Sequence, residues 1–210
     1  MPVVASSFLR ERLVERIDAA SLTVSDEVLN GLDAYLHLLD RWNRRINLTS
    51  FDLSEPTDAA LDRLVVEPLL AARFVRSDDR LGVDIGSGGG SPAFPLKLSS
   101  GCLSMALVES RTRKAAFLRE VARTLGLRDV RVESCRFEEF GAREENRARF
   151  DLVSLRAVKA DQRLWGAVAV TMRNAGRVLW LGGAGRQCEH EDFRICMEEG
   201  SLKVLEKVSH

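Results

Sequence analysis

Hydrophobic positions recur along the chain in two rhythms, and the change falls near residue 80. Before it, Val28, Leu32, Tyr35, Leu39 and Trp42 return every three or four residues, as one face of a helix does. Ser25, with Asp26 and Glu27 behind it, supplies a helix start. Phe8, Leu9, Leu13 and Ile17 mark a shorter helix upstream, and Pro56-Thr57 opens a third that Pro68 is expected to kink or end. From Leu81 onward, short apolar runs at about 81–85, 103–108, 129–134, 150–155 and 176–182 alternate with helical stretches. That alternation predicts a mostly parallel sheet covered on both faces. Between the runs, Phe117, Leu118, Val121, Ala122 and Leu125 share a face that stops at Gly126, and Leu164, Trp165, Val168 and Met172 suggest the next crossover helix. The chain is expected to be α/β, with a helical extension over 1–78 and a sheet domain over 79–210. After Gly183 one weak helix and one strand-like run at 202–208 are legible, too little for a seven-stranded sheet, so the last strand is expected to be missing.

Chemistry concentrates where the second rhythm begins. The run Asp84-Ile-Gly-Ser-Gly-Gly-Gly90 breaks an apolar strand into a Gly-x-Gly-x-Gly turn, and Glu109 closes the next strand 23 positions after Gly86. Glycines permit positive φ and close approach of a ligand to the backbone, while a carboxylate at the following strand end can accept from both hydroxyls of a ribose. A nucleoside cofactor is implied. A nicotinamide or flavin site would favour Gly-x-Gly-x-x-Gly; the spacing of Gly86, Gly88 and Gly90, followed by Ser91-Pro92, leans to S-adenosylmethionine, with a dinucleotide as the alternative. Phe137 and Glu138, after the strand at 129–134, are placed to grip an adenine; the plainer reading of Glu138 and Glu139 is a solvated helix start.

Lys and Arg total 31, as do Asp and Glu, so no global field draws the 210-residue chain to nucleic acid, and any RNA contact must come from a local patch. Two arginine clusters qualify: Arg41, Arg44 and Arg45 around Trp42, and Arg111, Arg113 and Lys114 after Glu109. Both could equally be solvated helix charges, and Trp42, in phase with the apolar stripe, reads as core. The four cysteines have no metal-binding spacing, so free thiols and no metal are expected. Neither a signal-peptide core nor an apolar run of roughly 20 residues is present, which predicts a cytoplasmic protein without a membrane partner.

At this point the chain resembles the ribosomal small-subunit methyltransferase G family, formerly glucose-inhibited division protein B. The matching segments, in order, are Tyr35-Leu-His-Leu-Leu-Asp-Arg-Trp-Asn-Arg-Arg-Ile-Asn-Leu-Thr49, the glycine loop with Pro92 and Pro95-Leu96, Glu109 followed by Lys114 and Phe117-Leu118, Arg136-Phe-Glu-Glu-Phe140, and Arg156-Ala-Val158. The resemblance implies a Rossmann-like class I S-adenosylmethionine-dependent methyltransferase fold and methylation of N7 of a guanine in 16S ribosomal RNA. The partner would be that RNA or the small ribosomal subunit, with the enzyme a monomer. Cofactor contacts are implied at Asp84, Gly86, Gly88, Gly90, Ser91, Glu109, Phe137, Glu138 and Arg156, with Arg156 also beside the reaction site. Departures fall in several places, among them Gly182-Gly183 where Lys-Gly is usual after the fifth strand and the lack of the usual basic C-terminal strand. Where the family usually reads Arg-His-x-x-Asp-Ser-Leu, this chain reads Arg63-Leu-Val-Val-Glu-Pro-Leu69, and the loop carries Ser91 and Ala93 where an apolar residue and a glycine are usual.

Guanine N7 has a lone pair and no proton, so its methylation needs no general base, and catalysis rests on positioning and on tolerating charge. Arg156 is too basic to act as a base; as a fork of donors it suits a phosphate, guanine O6 or the methionine carboxylate. The alternative is a strand-end arginine paired with an acid such as Asp151. Other functions left open are a methyltransferase for a small molecule or another nucleic acid, and a cofactor-binding homologue without turnover.

Overall fold

The computed structural model describes residues 4–208 apart from 184, 186, 187 and 189. Helix α1 (Val4–Ala19) leads to α2 (Asp26–Asn43), whose start is fixed as expected: the Ser25 side chain accepts from the Val28 N–H, and Asp26 and Glu27 sit in the first turn, at the positive end of the helix. The third helical segment is a composite. Four residues of α3 (Asp58–Leu61) pass into a π-helical turn (Asp62–Val66) and on into α4 (Glu67–Ala72). Pro68 therefore neither ends the segment nor stands alone in it; it lies in the first turn of α4, directly after the widened turn.

Seven strands follow: β1 (Leu81–Ile85), β2 (Ser104–Val108), β3 (Val130–Glu133), β4 (Phe150–Arg156), β5 (Met172–Leu181), β6 (Phe193–Glu199) and β7 (Leu202–Lys207). They form one sheet in the order β3-β2-β1-β4-β5-β7-β6, with the first five parallel and β7 antiparallel to both its neighbours. Crossovers run through α5 (Ala93–Ser99), α6 (Thr112–Thr124), α7 (Phe137–Gly141) and α8 (Gln162–Thr171). The expectation of a missing last strand is thus corrected. The weak helix expected after Gly183 is replaced by β6, an edge strand on which only Phe193 is buried, and edge position strips a strand of the apolar alternation that would announce it. Met172 likewise opens β5 and does not close α8.

Side chains alternate between the two faces with the strand period of two. Leu103, Met105, Leu107, Leu152, Leu179 and Leu181 enter one cluster with the N-terminal helices, α5 and α6, whereas Val83, Ile85, Val108, Val153, Leu155 and Trp180 enter the other with α7 and α8. Phe94 and Phe117 are fully buried in the first cluster; each such side chain contributes about 1.5–3 kcal/mol. After β1 the chain builds outward through β2 and β3, then returns to the other side of β1 with β4. The carboxyl ends of β1 and β4 therefore border the crevice in which open α/β sheets take ligands.

Candidate functional site

At the end of β1 the chain turns through Gly86, Gly88 and Gly90 with φ of 67°, 51° and 84°. The Gly86 and Ser87 N–H groups both donate to the Val108 carbonyl, at 2.9 and 3.1 Å, tying the loop to β2. A Cβ at Gly90 would press on the Phe94 ring at 2.5 Å, but one at Gly88 would find nothing closer than the Gly86 carbonyl at 3.6 Å. Gly90 is set by packing, whereas Gly88 borders open space. Glu109, 7% exposed at the end of β2, accepts from the Gly88 N–H at 2.9 Å and the Arg111 N–H at 2.8 Å. One oxygen is used for each bond, so each retains a lone pair for a ligand. Asp84 lies beneath the loop, 1% exposed, and accepts from the Ser154 hydroxyl at 2.5 Å; burial pushes its carboxyl up to about 6.

Helix α2 builds the opposite wall. The buried Tyr35 hydroxyl donates to the Gly89 carbonyl at 2.7 Å, bracing the glycine loop from behind. At the helix end, the Asn43 side chain accepts from the Leu48 and Thr49 N–H groups at 2.9 and 3.0 Å and donates to the Phe51 carbonyl at 3.3 Å. One amide thus folds the following segment into a wall of the cleft. Trp42 is half-buried, edge-on to Phe117, with its N–H donated to Glu120, consistent with a core role. His37 Nε2 lies 3.6 Å from Asp33 on the same helix.

Arg156 closes β4 with its side chain 8% exposed. Its guanidinium donates to the Arg63 carbonyl, to the Ser91 hydroxyl at 3.1 Å and to Glu67 at 2.9 Å. Burial lowers its pKa to about 10, with Glu67 pulling the other way, so it remains a cation at neutral pH. The acid it meets is Glu67 and not Asp151, which sits at the far end of β4 and holds Arg173 and the backbone N–H groups of Arg80 and Leu81.

These groups surround one cleft of about 410 Å³, within the range of small-molecule sites. Gly86, Gly88, Ser91, Glu109, Lys114 and Arg156 all line it. So do Thr49, Phe51, Arg63 and Ala157, which the sequence did not single out as ligand contacts; the Trp-Asn-x-x-Ile-Asn-Leu-Thr segment, which ends at Thr49, was the available signal for the first of them. Phe137 is 5% exposed and packs against Phe140, and Glu138 is exposed in the first turn of α7; neither lines this cleft. Of the basic residues, Arg45, Arg111, Arg113 and Lys114 come together around a hollow of about 460 Å³ between the end of α2 and the start of α6, and Lys114 is shared with the cleft. Arg41 and Arg44 are instead paired with Glu120 and Asp40. The four cysteines are free, and no group of three or more metal-ligating side chains is found among the described residues.

The cleft suits a nucleoside cofactor: a glycine loop open at Gly88, a carboxylate facing it, and an arginine whose Nε–H is buried without a partner. Residues 28–209 match the model of the rRNA small subunit methyltransferase G family (GidB). The chain belongs to this family. Among relatives named Ribosomal RNA small subunit methyltransferase G, that of Syntrophotalea carbinolica is 30% identical over 181 residues, covering 86% of this chain and 81% of the relative. That of Chloroflexus aggregans is 35% identical over 167 residues, covering 80% and 69%. The fold is shared with more distant proteins. A Corynebacterium glutamicum structure superposes with a TM-score of 0.61 at 14% identity, covering 94% of this chain and 97% of the other. A Methanococcus maripaludis protein described as a candidate S-adenosyl-L-methionine-dependent methyltransferase gives 0.57 at 10% identity, covering 83% and 92%. The methyltransferase G core of this chain is therefore a Rossmann-like class I methyltransferase fold, as the strand order and glycine loop require.

Proposed function

We propose that this chain transfers a methyl group from S-adenosylmethionine to N7 of a guanine in 16S ribosomal RNA. The observation that carries the reading is the convergence of the Gly86–Gly90 loop, Glu109 and Arg156 on one cleft, in a chain of this family. Bound there, the cofactor would supply a sulfonium methyl, a carbon electrophile that a lone pair can take directly. Gly86 and Gly88 would let its backbone-facing side approach and Glu109 would accept from ribose hydroxyls, while Phe137 and Glu138, which do not line the cleft, take no part in holding it. Ser91 and Arg156 would meet the reacting end.

The surroundings fit a nucleophile that needs no base. Asp84 is sealed under the loop, Glu109 is held by two backbone N–H groups, and Glu67 is committed to Arg156. Arg156 donates and does not accept, so its part is to orient the substrate through guanine O6, a phosphate or the methionine carboxylate. The hollow of Arg45, Arg111, Arg113 and Lys114 leads away from the cleft and suits RNA phosphates; none of these four forms an ion pair among the described residues. On this reading the working form is a cytoplasmic monomer acting on the small subunit or its RNA.

The test is transfer of labelled methyl from S-adenosylmethionine to small ribosomal subunits lacking the mark, with naked 16S RNA alongside and the product mapped by cleavage at N7-methylguanine. Label at one guanine N7 is the expected result. Absence of label from both substrates, with cofactor binding intact in the same samples, would sink the reading.

A further inference from the structure

The run from α3 through α4 contains a defect that faces the cleft. In an α-helix each carbonyl receives the N–H four residues on. Here the Glu67 N–H reaches back five residues to the Asp62 carbonyl, so the Arg63 carbonyl loses its donor, and Pro68 has no N–H to give to the Leu64 carbonyl. Two successive carbonyls are thus released from the helix. Both are taken up by the site: Arg63 by the Arg156 guanidinium, and Leu64 by the Ser91 hydroxyl at 2.7 Å. Glu67, one turn along the same face, takes the other arm of Arg156 at 2.9 Å, and Ser91 closes the ring by accepting from Arg156 at 3.1 Å.

We propose that this interrupted turn is a positioning element for methyl transfer, in which Pro68 and the π-helical turn free the backbone acceptors that, with Glu67, hold Arg156 and Ser91 at the mouth of the cleft. The proposal rests on the function read above and adds residues that touch neither substrate nor cofactor. π-Helical turns recur at functional sites because they re-aim backbone groups. Here the effect is to occupy both terminal nitrogens of Arg156 while leaving its Nε–H, buried and without a partner, for an incoming acceptor. The Glu67-Pro68 pair, a departure from the usual family sequence, is on this account the source of the geometry and not a loss of it.

Pro68→Ala tests the proposal because it restores an N–H that competes with Ser91 for the Leu64 carbonyl, while removing a helix-unfavourable residue, so the fold should survive it. Two readouts are taken on the full chain: methyl transfer to unmarked small ribosomal subunits, and the nitrogen-resolved NMR signals of the Arg156 guanidinium protons, which slow exchange should make visible in the wild type. In Pro68→Ala we expect kcat to fall about tenfold, the KM for subunits and the S-adenosylmethionine Kd to stay within about twofold, and the Arg156 signals to broaden or vanish with no drop in Tm. Ser91→Ala should lower kcat as well, because Ser91 both donates to the Leu64 carbonyl and accepts from Arg156. Glu67→Gln should reproduce the kcat loss and Glu67→Asp should restore part of it. An active wild type whose Pro68→Ala variant keeps both kcat and the Arg156 signals would overturn the proposal, as would a kcat loss matched by a lowered Tm. A wild type that transfers no methyl but shows Arg156 signals that Pro68→Ala removes would leave the positioning element standing and count against the functional reading alone. A wild type with neither would remove both.

Discussion

Glu109 shows how much one side chain is asked to do. It holds the glycine loop through Gly88, the entry to α6 through Arg111, and retains lone pairs for a ligand. Glu109→Gln keeps the size but replaces one acceptor with a donor that would face the Gly88 or Arg111 N–H. We expect S-adenosylmethionine affinity, measured by calorimetry, to fall by about 1.5–3 kcal/mol, the range for a hydrogen bond to a charged group; undiminished affinity would exclude Glu109 from the ribose site. Asp84 yields a pH prediction of definite sign. Its folded pKa of about 6 lies above the ordinary carboxylate value of 3.8, because burial, helped by the Glu109 charge, outweighs the hydrogen bonds from Ser154 and Ser87 and the Arg156 charge. The folded state therefore holds this proton more tightly than the unfolded chain does. The resulting stability is complete below pH 3.8 and lost as the pH rises through 6, by about 3 kcal/mol. Asp84→Asn should not show that loss, so denaturation midpoints of wild type and variant should diverge between pH 4 and 7; parallel curves would refute the assignment. Glu109 and the glycines were legible because spacing alone brings them to adjacent strand ends. The partner of Arg156 was not: Glu67 stands 89 positions away, and nothing in the local sequence of β4 prefers it to Asp151.

At the level of elements, legibility followed burial. Strands β1, β2 and β4 are buried over nearly their whole length and read as largely apolar runs, with Asp84, Asp151 and Ser154 buried among them, whereas β6 is exposed over most of its length and β7 is recognisable by its apolar residues alone. The π-helical turn leaves no periodic trace, since five residues of altered winding do not disturb a pattern of apolar positions; Pro68 marks the place without saying which groups accept the freed carbonyls. Helix α2 was legible as an amphipathic helix but not as part of the site. It holds the glycine loop by Tyr35 and the segment at Leu48–Thr49 by Asn43, two walls of one cleft on one rigid rod. Asn43→Ala would leave two backbone N–H groups and the Phe51 carbonyl without their partner. A stability loss of about 1–3 kcal/mol is expected, together with faster amide exchange at Leu48 and Thr49. Unchanged protection of those two amides would show that the segment holds itself.

For the whole molecule, the balance of charge and its distribution say different things. Lys and Arg cancel Asp and Glu at 31 each, yet folding gathers Arg45, Arg111, Arg113 and Lys114, from segments some 66 positions apart, onto one rim beside the cleft. A neutral protein with a local cationic rim should bind RNA through a few phosphates and be sensitive to salt in proportion to that few. Each neutralised phosphate contributes about 0.7–0.9 to the slope of log K against log salt, so four contacts predict a slope of about −3. Arg45 and Arg113 border both this hollow and its neighbour beside Trp42. The double variant Arg45→Gln, Arg113→Gln should make the slope shallower by about 1.5 and weaken binding most at low salt, where counterion release is strongest. Arg41 and Arg44 already spend their charge on Glu120 and Asp40, and replacing them should leave the slope within about 0.5 of wild type. The reverse order of effects would move the RNA path from the start of α6 to the exposed face of α2, and the guanine would then have to approach the cleft across Thr49 and Phe51 instead of past Lys114.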